Sequence, residues 1–267
     1  MLWMVLELTI EPIVVFLSIF SGIAVGFTLG LIGGGGSVLA VPLLLYVVGV
    51  RDVHVAIGTS ALAVGVIAAI NLIGHKRKGN LKLKKGITFA IPGVIGSLIG
   101  AQLGLLTPPE NLLLFFAVFM GIVALLMLKR KVVRKDIVEI SGSTILLSKS
   151  KVAPSGFFVG MLAGYFGIGG GFLIVPSLMY FGSLSITQAI GTSLMSVSAF
   201  GLTTAASYFI SGNIDFIVTM LFVIGGALGG IIGIRMTHKI PKVILTRIFA
   251  ILLFGVAGYV ILRSLSL

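Results

Sequence analysis

Two glycine-dense segments hold the residues whose type and spacing could do chemistry: Gly33-Gly34-Gly35-Gly36-Ser37 and Gly167-Ile168-Gly169-Gly170-Gly171. Each opens a short apolar stretch. A helix starting there leaves its first backbone N–H groups unpaired and carries about half a positive charge at that end. Glycine has no Cβ, so an anion can approach those groups directly. The same glycines would equally serve a tight turn and close packing, and the sequence leaves both uses open. On the anion reading, the substrate-binding residues are Gly35, Gly36, Ser37, Gly169, Gly170 and Gly171. Thr59-Ser60 and Thr192-Ser193, at the starts of later segments, add hydroxyls that either cap those helices or donate to an oxyanion.

Other chemistries are excluded by what is missing around these motifs. The acidic residues Glu7, Glu11, Asp52, Glu110, Asp136, Glu139 and Asp215 fall at expected span ends or loops, so no carboxylate is placed to couple transport at mid-span. His54, His75 and His238 lack ligand spacing and cysteine is absent, so no metal, cofactor or thiol nucleophile is expected. The glycine runs do not end in the G-K-[ST] of a phosphate-binding loop, and no acidic residue stands ready to complete a Ser-His pair. No catalytic residue is assigned, and the chain is not expected to be an enzyme.

The elements that must position the glycines are membrane helices. Of 267 residues, 58% are hydrophobic and 10% charged, and the mean hydropathy is +1.23. That leaves too little polar surface to coat a soluble globule. Long apolar runs favour helices over the short alternating segments of a membrane β-barrel. The chain also repeats itself. Gly22, Gly26, Gly30, Gly33, Gly35-Gly36 and Pro42 recur 134 positions later as Gly156, Gly160, Gly164, Gly167, Gly169-Gly170 and Pro176. Ala56-Ile57-Gly58-Thr59-Ser60 recurs as Ala189-Ile190-Gly191-Thr192-Ser193, and Gly79-Asn80 as Gly212-Asn213. The division is a first transmembrane repeat at 1–128, a basic linker at 129–152 and a second repeat at 153–267.

Each repeat reads as five segments: 12–32, 36–50, 55–74, 86–106 and 111–128, then 153–167, 170–183, 188–210, 216–234 and 243–262. The uncharged runs 12–50 and 152–187 would each measure about 55 Å as one helix, too long for one crossing and short for two. A glycine break in the middle makes each a hairpin of discontinuous or re-entrant helices, tolerated at membrane depth when buried in protein. Pro42 and Pro176 are expected to bend the short arms. The spacings Gly96, Gly100, Gly104 and Gly156, Gly160, Gly164 are faces for close helix packing.

The formal charge of +12 comes from clusters at 76–85, 129–151 and 235–247, between apolar spans. Basic residues so placed mark cytoplasmic loops, whereas a nucleic-acid surface would interleave them with aromatics. Nucleic acid is not an expected partner; the bilayer and a small anion are. Placing 75–85, 129–151 and 235–242 in the cytoplasm puts both termini outside and inverts the second repeat relative to the first. The N-terminus lacks a basic start and a small-residue cleavage site, so it does not read as a cleaved signal peptide.

The segments GLIGGGGSVLAVPLLL (30–45) with AIGTSALAV (56–64), and GYFGIGGGFLIVPSLMY (164–180) with AIGTSLMSV (189–197), resemble the TauE/SafE family of sulfite and organosulfonate exporters. The resemblance runs over nearly the whole chain. It implies a multi-pass inner-membrane transporter for sulfur-containing or related small anions. A histidine precedes the Gly-Asn turn in the first half, His75, and Tyr208 takes its place in the second. An alternating-access carrier is the expected mechanism, with a passive anion channel or a non-transport scaffold as the alternatives.

Overall fold

Proline and glycine set the limits of the first helix. Pro12, whose fixed φ suits a first helical position, opens it, and Gly33 at φ +77° closes it by donating its N–H to Leu29 O at 2.9 Å. The computed structural model describes residues 11–129 and 152–237, with positions 251, 254, 255, 257, 258 and 260. The elements in order are α1 (Pro12–Ile32); a 3-10 turn (Gly34–Leu39) running into α2 (Ala40–Leu43) and a π turn (Leu44–Val48); α3 (Val53–Arg77); α4 (Leu83–Leu106); α5 (Pro109–Lys129); α6 (Val152–Phe166); α7 (Gly171–Tyr180); α8 (Ile186–Ile210); and α9 (Phe216–Met236). No strand occurs among them. Among the described residues α1, α3, α4, α8 and α9 are long and apolar enough to cross a membrane. The expected all-helical, multi-pass architecture is therefore the one found, including the two broken hairpins. The linker at 130–151, most of the loop 235–242 and most of the span 243–262 lie outside the described residues.

Helix ends reach further into the charged loops than hydropathy alone predicts. α3 continues through His75, Lys76 and Arg77, where the Lys and Arg cations favour the negative end of the helix dipole. Its first turn is capped by Asp52, whose Oδ1 accepts from the N–H groups of His54 (2.7 Å) and Val55 (3.1 Å). Asp215 does the same for α9, accepting from Ile217 and Val218 at 3.0 Å. α8 starts with a reciprocal capping box between Ser185 and Gln188.

The glycine spacings become backbone-to-backbone seams. Gly22, Gly26 and Gly30 of α1 lie against Phe222, Gly226 and Gly230 of α9. Gly156, Gly160 and Gly164 of α6 lie against Phe89, Gly93 and Ser97 of α4. Residue numbers rise together along both seams, so each pair runs parallel, and each joins a helix of one repeat to a helix of the other. α3 and α8 lie between the seams. Gly58 stands beside Tyr208 and Asn213, and Gly65 beside Gly201 and Leu202, so these two corresponding helices are antiparallel. Ile67 and Asn71 of α3 face Gly226 and Gly230 of α9, and Phe200 of α8 fills the space at Gly93 of α4. α5 packs its Phe116 and Phe119 on Phe166, with ring centroids 5.6 and 4.6 Å away.

This order separates the charges. Asp52, Glu110 and Asp215, with Arg51, collect at one end, hereafter the acidic end. Lys76, Arg77, Lys78, Lys82, Lys84, Lys85 and Arg235 collect at the other, the basic end. There, Lys78 Nζ donates to Ile234 O in the last turn of α9 at 2.7 Å, and Lys85 Nζ donates to Gly182 O in the turn that follows α7.

Candidate functional site

Both hairpins break where glycine adopts a backbone that other residues avoid. In the first, Gly33 (φ +77°) reverses the chain and Gly34 opens the 3-10 turn. Ser37 is fully buried, and its Oγ donates to Gly34 O at 2.7 Å, tightening that turn. In the second, Gly167, Gly169 and Gly170 all have φ near +60° (64°, 62° and 64°), and Gly170 sits at the N-cap of α7. The two breaks meet. Gly34 packs its backbone on Gly171, and Val197 of α8 touches both Gly34 and Gly169, with Val64 of α3 beside Gly169. The short arms Gly34–Val48 and Gly171–Tyr180 thus begin face to face at the crossing of α3 and α8.

Two helix N-termini pointed at one another bring like partial charges together in an apolar surrounding, where they are poorly screened. No charged residue occurs in 12–50 or 152–187 to offset them. What the arrangement offers chemically is a patch of backbone N–H donors and positive potential without a titratable group.

The expected site residues divide by surroundings. Gly35 has room for a methyl group: among the described residues, a Cβ there would meet Ile32, at 3.5 Å, and no other side chain. At Gly36 a Cβ would overlap Thr28, whose Oγ1 donates to Val25 O at 2.8 Å within the same hairpin. A Cβ on Gly170 would stand 2.8 Å from that of Ala163, and one on Gly169 2.9 Å from Val197. Gly171 is closed off by Gly34. Packing alone therefore demands glycine at 36, 169, 170 and 171, while at 35 it does not.

The hydroxyl pairs cross between the repeats. Thr59 Oγ1 accepts from Asp215 N–H at 3.0 Å, and Thr192 Oγ1 accepts from Lys82 N–H at 3.1 Å. Ser60 Oγ lies in donating distance of Ile57 O (2.9 Å) and Gly167 O (3.0 Å). Ser193 Oγ donates to Ile190 O at 2.8 Å and accepts from Gly34 N–H at 3.4 Å. All four side chains are buried. Each pair stands in the second turn of its helix, so it does not cap it, that role falling to Asp52 and Ser185, and it grips the other repeat's turn and break. Gly34, Val64 and Val197, which close the meeting point, were not singled out by sequence reasoning. Gly34 is one of four identical neighbours, and an apolar valine in a membrane helix carries no signal of position. At the acidic end a recess of about 320 Å³ is lined by Val14, Val48, Gly49, Val50, Arg51, Asp52, Val55, Asp215 and Val218.

The family described as Sulfite exporter TauE/SafE matches residues 18–260. A protein of Xylella fastidiosa (strain 9a5c) named "Probable membrane transporter protein" is 42% identical over 259 residues, covering 96% of this chain and 98% of that one. "Probable membrane transporter protein YunE" of Bacillus subtilis (strain 168) is 30% identical over 250 residues, 87% of this chain and 92% of its own length. "Probable membrane transporter protein YdhB" of the same strain is 29% identical over 220 residues, covering 82% and 89%. No solved structure matches the chain. The matched family spans both glycine breaks and both Thr-Ser pairs, and the chain belongs to it: a multi-pass membrane transporter of the Sulfite exporter TauE/SafE family.

Proposed function

We propose that the chain carries small anions, sulfur oxyanions and sulfonates foremost, by alternating access, with the anion bound at the N-termini of the two broken hairpins near mid-membrane. The observation that carries this reading is the approach of Gly34 to Gly171, which sets two positive helix ends against each other where the sequence supplies no counter-charge. An anion is the species that relieves it. The antiparallel course of α3 and α8 supports repeats inverted across the bilayer, the arrangement secondary transporters use for alternating access. The concentration of Lys and Arg at one end supports a cytoplasmic basic end in an inner cell membrane.

The test is thermal stability of the purified protein with sulfite, sulfate, thiosulfate, taurine or sulfoacetate, against neutral controls. A ligand at a hundred times its dissociation constant stabilises the native state by about 2.7 kcal/mol, a clear rise in melting temperature. Gly35→Ala has space for its methyl group and should melt as the wild type without ligand, yet lose the anion-dependent rise. Absence of any anion shift in the wild type, or an undiminished shift in Gly35→Ala, overturns the proposed site.

A further inference from the structure

Each Thr-Ser pair ties one end of the bundle to one glycine break. At the acidic end Thr59 receives the N–H of Asp215, the residue that caps α9, and Ser60 reaches Gly167 in the second hairpin. At the basic end Thr192 receives the N–H of Lys82, in the residue before α4, and Ser193 receives the N–H of Gly34 in the first hairpin. The partners correspond: Lys82 and Asp215 are 133 positions apart, as are Thr59 and Thr192. The glycine before each threonine lets the contact form, since a Cβ at Gly58 would overlap Asn213 O and one at Gly191 would lie 2.8 Å from Asn80 O. The recess at the acidic end stops beside this contact. Val55 and Asp215 line it, and Thr59 is one helical turn beyond Val55.

We propose that Thr59 and Thr192 are end-specific latches, Thr59 holding the acidic end shut and Thr192 the basic end, each joined through the adjacent serine to the break that faces the substrate. In the described conformation both latches are made, so both ends are closed. Opening either end pulls a turn of one repeat away from a helix of the other and breaks that end's threonine contact, while the opposite contact persists. The adjacent serine shifts its grip on the glycine break in the same step. The latches rest on the alternating-access reading above. They are positioning groups that act through the turns and breaks they hold.

The experiment uses the full chain, which has no cysteine of its own. Val55→Cys reports the acidic end and Gln188→Cys, the corresponding position in α8, reports the basic end. Each reporter is combined with Thr59→Val or Thr192→Val, which keep the branched shape and remove the acceptor. Labelling rates with an impermeant thiol reagent are read from both sides of vesicles. A neutral hydrogen bond lost from a two-state balance shifts it about three- to tenfold. Thr59→Val should raise labelling of Val55→Cys by that factor and leave that of Gln188→Cys no higher than without the substitution. Thr192→Val should do the reverse, and Thr59→Ser should restore wild-type rates. Loosened packing would instead raise both rates together, and that outcome, or unchanged rates, overturns the latches. Counterflow in liposomes by the wild type separates the two readings. If counterflow is present without the end-specific rises, the latches fail; if it is absent, alternating access itself fails.

Discussion

A methyl group has room at Gly121 of α5 and none at Gly26 of α1. Among the described residues beyond its own helix turn, nothing lies within 4 Å of a Cβ built on Gly121, whereas one on Gly26 overlaps the Gly226 carbonyl. Gly26→Ala should therefore force α1 from α9 and cost about 1–3 kcal/mol, the usual price of overpacking a close contact. Gly121→Ala should gain about 0.4–1 kcal/mol by reducing unfolded-state freedom within a helix. Thermal melting in one detergent compares the two, and a Gly26→Ala protein as stable as wild type would contradict the seam. That glycines at this spacing mark tight helix contacts is legible in the sequence. Which backbone each one meets is not, because small-xxx-small spacing describes one surface and leaves its partner unspecified. Gly36 and Gly170 are cases in point: they read equally as anion cradle or packing residues until Thr28 and Ala163 are seen against them.

The elements follow from their ends. Asp52 and Asp215, the acidic residues nearest the described spans of α3 and α9, spend their carboxylates on first-turn N–H groups. Asn keeps the capping oxygen, so Asp52→Asn and Asp215→Asn, singly and together, should leave sulfonate flux into proteoliposomes intact. Asp215→Ala removes the acceptor and should cost about 0.5–2 kcal/mol. Loss of proton-driven accumulation in either Asn variant, with binding retained, would make that carboxylate a coupling group. Capping was readable from an Asp just before an apolar run. The unlike arms were not. The second is a regular helix with Pro176 inside it, while the first passes from 3-10 to α to π geometry around Pro42. Ser37 stands where the second repeat has Gly171, and its hydrogen bond to Gly34 O holds the tighter turn.

At the scale of the whole molecule, the charges divide between two ends that the fold itself creates. Ser211 and Lys84 are exposed at the acidic and basic ends. Ser211→Cys should react with an impermeant reagent from outside intact cells, and Lys84→Cys only after permeabilisation. Reaction of Lys84→Cys from outside would reverse the orientation. Duplication, hairpins and basic loops were all legible because each rests on a local signal: a recurring glycine, an uncharged run too long for one span, a cluster of lysines. The exchange of helices between repeats was hidden, since hydropathy scores each span against lipid and carries no term for its neighbour.

That exchange also sets the order of events during synthesis. Gly26 meets Gly226, about 200 residues later in the chain. At about 5–20 residues per second, α1 waits about 10–40 s in the bilayer before its partner has been made. Through that interval its glycine face lacks the backbone it will meet, and Asn71, destined to lie between Gly26 and Gly230, lacks the helix that will bury it. Insertion and assembly are thus separate stages for this protein. The α4–α6 seam and the α3–α8 contact can form as the second half enters, and the α1–α9 seam closes last, only when α9 is released.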